Sequence, residues 1–156
     1  CLMSKRLENL NSIVAILGGG AKAYRTAARA VQNSALEEIF LKHADLREHV
    51  ARDLGKLIDE AGAEPADPAT REVAAGVMGK VTALLMAEDP AARHVAHLEE
   101  HEDRTLEAFR FALNHPDNAR DDAMLREYFA RFEETHQTMR TIKHAEDTKE
   151  AAEAQA

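Results

Sequence analysis

Leu7, Leu10, Val14, Leu17, Ala21, Tyr24, Ala28 and Val31 recur at alternating steps of three and four residues. That rhythm is the seam of a long helix packing nearly parallel to its neighbours, and it predicts a first helix over residues 4–32. Gly18, Gly19 and Gly20 interrupt the seam. Each glycine weakens a helix by about 1 kcal/mol relative to alanine, so a compensating close approach of another backbone, or a kink, is expected there. Ser34 with Glu37 reads as a capping box that starts a second helix over 35–61. Its inward stripe is Leu36, Ile39 or Phe40, His43, Leu46 or Arg47, Val50, Leu54 and Leu57.

Gly62-Ala63-Glu64-Pro65-Ala66 is the first long connection, and Asp67-Pro68 supplies an N-cap with proline at the first helical position. A second Asp-Pro, Asp89-Pro90, leaves helix 3 kinked or split into 69–86 and 90–113 along one axis. After the turn residues His115-Pro116-Asp117-Asn118 comes a stripe of Leu125, Tyr128 or Phe129, Phe132, His136, Met139 and Ile142, which predicts helix 4. Past His144 no apolar face remains, so residues 145–156 read as a charged tail, fraying as a helix or disordered. The expected fold is all-α, an antiparallel four-helix bundle over residues 4–144.

Composition agrees and narrows the function classes. The 156 residues suit one domain; aromatics are 4%, Trp is absent, and 7 Gly with 4 Pro fit helices better than a turn-rich sheet. The net charge of −8 comes with no basic block, which argues against nucleic acid. No apolar run approaches the roughly 18 residues of a membrane span. The single cysteine, Cys1, excludes an internal disulfide framework, and the expected location is the cytoplasm. Cys1 and Leu2 precede Met3, a natural start residue; a lipoprotein's terminal cysteine is the competing reading.

Ionisable residues lie on the inward stripes. Val95, Leu98, Leu106, Phe109 and Leu113 define the inner face of helix 3, with Glu102 in its middle and Glu99 on its border. Buried carboxylates need a cation, hydrogen bonds or a metal. Two readings stand side by side: an ion pair with Arg47, or metal ligation together with His43, Glu133 and His136, the last two forming Glu-x-x-His at i, i+3. A core histidine is more often hydrogen-bonded than a ligand. His94, His97 and His101 form a ridge on the flank of helix 3, read as a solvated face in preference to a transition-metal site. The glycine triplet is no phosphate loop, since Lys22 stands in no Gly-x-x-x-x-Gly-Lys-Ser/Thr pattern.

Leu10-Asn11-Ser12-Ile13, Ala23-Tyr24-Arg25, Ala27-Ala28, Arg47, Asp53-Leu54, Glu99, Glu102-Asp103 and His136 give the chain its likeness to known proteins. It resembles, over about residues 7–142, a bacterial ferritin-like four-helix-bundle family known as a domain of unknown function. The resemblance implies a relation to di-iron carboxylate proteins, whose centre takes a Glu from each of two helices and Glu-x-x-His from each of the other two. The chain departs from that set: Gly19, Ala21 and Arg29 stand where relatives are acidic, and helix 2 has no Glu-x-x-His. His97-x-x-x-His101 also matches one helix of a hemerythrin-like bundle, but helix 1 has no histidine and Thr141 stands where a carboxylate should follow His136. The expectation is a non-enzymatic or weakly metal-binding, stress-associated protein, with a single Fe, Zn or Mn ion as the one cofactor to consider and a homodimer through helix faces as the one partner. The alternative is a metal-dependent oxidase or peroxide-consuming protein with a degenerate site at His43, Glu99, Glu102, Glu133 and His136.

Overall fold

The computed structural model describes residues 4–67, 90–115 and 119–156. Among them are four helices and no strand: α1 (Lys5–Ala30), α2 (Ser34–Glu60), α3 (Pro90–Asn114) and α4 (Ala119–Glu153). The all-helical bundle follows the hydrophobic spacing, with helix ends set by local chemistry. The Ser4 hydroxyl accepts the Leu7 N–H at 3.4 Å and caps α1.

The cap of α2 differs from the expected Ser34–Glu37 box. Extended backbone at Asn33 lays its side-chain oxygen across the first turn, where it accepts from Ala35 and Leu36 N–H at 3.0 and 3.1 Å. Ser34 is therefore already helical, and Asn33 does the capping. At the other end Gly62 adopts φ of 75°, the left-handed conformation that favours glycine. Gly62 N–H bonds to Asp59 O at 2.9 Å and Ala63 N–H to Ile58 O at 3.1 Å, the paired closure of a Schellman turn.

The predicted segment 69–86, the Pro68 start, the break at Asp89 and the turn at 116–118 lie outside the described residues, as does Cys1. The C-terminal residues expected to fray or to be disordered continue α4 as helix to Glu153, nearly all of them exposed. No described helix is long and apolar enough to cross a membrane.

Two apolar clusters make the core. One holds Leu10, Ile13, Val14 and Leu17 of α1 against Val50, Leu54, Leu57 and Ile58 of α2, Leu106 and Phe109 of α3, and Leu125 and Phe132 of α4. The other holds Ala23, Tyr24, Ala27 and Ala28 against Leu36, Phe40, Ala44, Val95, Leu98 and Met139. Where the two groups meet, the buried residues are glycine, alanine or polar: Gly18 to Ala21 on α1, His43 and Arg47 on α2, His101, Glu102 and Thr105 on α3, and Thr135 on α4. A polar layer thus divides the apolar core.

Candidate functional site

Arg47 enters this layer from α2 and Glu102 from α3. Arg47 Nη2 lies 2.7 Å from Glu102 Oε1, and both side chains are 0% exposed. Tyr24 on α1 donates its hydroxyl to the same Oε1, and Thr135 on α4 donates to Oε2 at 2.8 Å. One carboxylate therefore collects a donor from each of the other three helices, which is the saturation a buried charge requires. Arg47 Cζ lies 4.7 Å from the Tyr24 ring centroid and 5.2 Å from that of Phe132, so the cation sits over two aromatic rings. Burial pushes the Tyr24 phenol well above its ordinary range; Arg47 opposes this and Glu102 reinforces it, keeping the hydroxyl a donor.

Arg47 Nε is buried without a hydrogen-bond partner and faces Gly20. A Cβ on Gly20 would lie 2.8 Å from that Nε and 3.1 Å from Cδ. The close approach at Gly20 is thus made by the Arg47 side chain and not, as the glycine triplet predicts, by another backbone. Gly20→Ala is expected to lower stability by about 1–3 kcal/mol through overpacking, despite the better helix propensity of alanine. Gly55→Ala should act oppositely: its Cβ would meet Pro65 at an ordinary 3.8 Å, and a gain of up to about 1 kcal/mol is expected. Urea denaturation of the two variants reads both signs, and a stabilised Gly20→Ala would mean that Arg47 is free to move aside.

His43 borders the cluster. Its ring packs edge-on to Tyr24 at 5.1 Å, and its buried Nδ1 lies 3.9 Å from Glu102 Oε1, beyond hydrogen-bond reach. Burial pushes its pKa down to about 4, with Glu102 pulling upward and Arg47 downward, so the imidazole is neutral near pH 7.

The other residues expected at a metal site lie elsewhere. Lys143 Nζ is 2.5 Å from Glu99 Oε2, a contact that raises the lysine pKa and occupies this half-buried carboxylate. Glu133 is exposed. His136 is half-buried, with Nδ1 3.5 Å from Asp103. Of the five candidates the structure brings together His43 and Glu102, with Arg47 beside them. Among the described residues no group of three or more His, Cys, Asp or Glu side chains is arranged to hold a metal ion. The donor set does not fit a di-iron centre, which draws about six protein ligands from four helices. Here three protein donors occupy Glu102, and His43 borders it.

The histidine ridge is not the solvated face expected of it. His94 and His101 are buried, His97 is half-buried, and the rings of His97 and His101 are 4.8 Å apart between centroids. The buried stripe of α3 takes in His94, Val95, Leu98, His101, Glu102, Thr105, Leu106 and Phe109. That is the broad apolar arc of a globular helix, wider than a coiled-coil seam, and it sweeps in the flank. Burial, aided by the charges of His97, Arg104 and Arg47, lowers the His101 pKa to about 4.

Sequence reasoning missed Thr135 and Tyr24 as site residues. For Thr135 the periodic pattern allows two continuations past Phe132: Thr135 keeps the three-four steps through Tyr128, and His136 keeps them through Phe129. For Tyr24 the signal was a phenol on the α1 seam in a bundle whose facing helices carry Arg47 and Glu102. A family model described as a domain of unknown function (DUF2383) matches residues 5–115. No curated protein and no solved structure matches the chain.

Proposed function

The chain belongs to the DUF2383 family of domains of unknown function, and we propose that it is a ferritin-like, non-enzymatic bundle protein that carries its own cation where relatives of di-iron type would carry metal. The observation behind this reading is the saturated Glu102 carboxylate, paired at 2.7 Å with a wholly buried Arg47. A guanidinium there supplies positive charge to the bundle interior permanently, with no dependence on metal supply.

The ferritin-like arrangement draws support from the order of the two apolar clusters along each helix. α1 and α4 pass from the Leu17 cluster to the Tyr24 cluster, whereas α2 and α3 pass the other way. α1 is then antiparallel to α2, as the pairing of Arg25 with Glu48 and of Asn11 with Ala66 also supports. α2 and α3 run in one direction, so the connection between them joins opposite ends of the bundle. A single long crossover of this kind is characteristic of ferritin-like bundles.

A second reading, weak binding of one divalent ion, is favoured by the buried, unpartnered His43 Nδ1 close to Glu102. Anaerobic Fe²⁺ titration followed by oxygen separates the readings. We expect no stoichiometric two-iron uptake and no catalytic oxidation, and any single weak site should disappear in His43→Ala. Two irons per chain, lost in Glu102→Ala, would overturn the non-enzymatic reading and put the oxidase in its place.

A further inference from the structure

We propose that the groove between α1 and α3 is the contact surface for a second copy of this chain, joined about a two-fold axis through antiparallel α3 helices. Glu100, Arg104, Glu107 and Phe111 follow i, i+4, i+7 and i+11, so they form one stripe along α3. Phe111 is 57% exposed, the most exposed large hydrophobic among the described residues. It stands at one end of a groove of about 340 Å³ between the helices, which it lines together with Asn9, Ser12 and Ile16 of α1 and Arg104, Glu107 and Ala108 of α3. An aromatic knob and a partly apolar hollow thus share one face.

The charges on that face select the occupant. Arg104 is 53% exposed and is engaged by Glu100 within its own helix, while Glu107 is exposed and makes no ion pair among the described residues. When two α3 helices cross antiparallel about a point midway between positions 104 and 107, Arg104 of each faces Glu107 of the partner subunit. The same operation repeats the contact, so the Arg104–Glu107 pair forms twice, while each Glu100 keeps to the Arg104 of its own helix. A surface that complements itself in charge fits an isologous interface between identical chains. In the same register Phe111 falls opposite Glu100 of the partner subunit, beyond the charged pairs and at the Ile16 end of the opposite groove, the position of an aromatic anchor rimmed by polar contacts.

Sedimentation velocity of the full chain over a concentration series, at low and high salt, tests this. The expected result is a monomer–dimer equilibrium weakened by salt. Phe111→Ser and Arg104→Glu should each weaken it by roughly 30-fold or more, the effect of losing a hot-spot contact. The double variant Arg104→Glu/Glu107→Arg should regain the parent's association, because the swap restores opposite charges across the axis. Circular dichroism melts of the variants should match the parent at concentrations low enough for the parent to be monomeric, since these side chains are exposed in the single chain. A parent that stays monomeric throughout, a dimer indifferent to Phe111→Ser, or a charge swap that fails to restore association would overturn the proposal.

Discussion

Replacing Arg47 with methionine is expected to lower the unfolding free energy by about 3–5 kcal/mol, a large share of the total for a domain of this size. The substitution keeps much of the side-chain volume between Tyr24 and Phe132 but leaves the Glu102 carboxylate buried without its cation. Tyr24 and Thr135 continue to donate to it, yet neutral donors do not replace a guanidinium. A solvated ion pair would lose less than about 1 kcal/mol by the same change, so the size of the loss reports burial. Removing both charges, as Arg47→Met with Glu102→Leu, should recover much of the deficit, because an apolar pair of similar volume asks for no desolvated charge. Urea denaturation of parent, single and double variants completes the cycle. A single-variant loss under about 1 kcal/mol would remove Arg47 from the interior.

The helices and the buried pair are legible in the sequence because each leaves a periodic trace. α1 is read from eight seam positions, and Arg47 and Glu102 are found by asking which charges fall on inward stripes. Glu102 is the acid that meets Arg47; Glu99, one helical step away, reaches Lys143 on α4 instead. Choosing between such neighbours requires the rotation of α3 about its axis to within a few tens of degrees, which a periodic pattern alone does not supply. The same limit exchanged His136 for Thr135 on α4. It also misread the His94 and His101 flank, whose burial depends on what packs beside the arc. The Asn33 cap was hidden for another reason: Asn33 and Ser34 are both good N-caps, and backbone geometry at one residue decides between them.

A second large effect is expected from Leu17→Asp, which should leave the chain unfolded or nearly so at neutral pH. Leu17 is 0% exposed in the apolar cluster that draws on all four helices, with Ile13, Leu54, Phe109 and Phe132 among its members. The leucine contribution to a packed core is about 2–5 kcal/mol by truncation alone. Aspartate adds the burial of a carboxylate, and the Arg47 cation of the polar layer is already committed to Glu102. Together these approach or exceed the 5–15 kcal/mol that typically holds a domain folded. Arg29→Asp, at an exposed position of the same helix, changes the charge by two units where Leu17→Asp changes it by one, yet should cost no more than about 1 kcal/mol. Thermal melts followed by circular dichroism distinguish the two. A Leu17→Asp protein melting within a few degrees of the parent would mean that α1 does not present this seam to the other three helices.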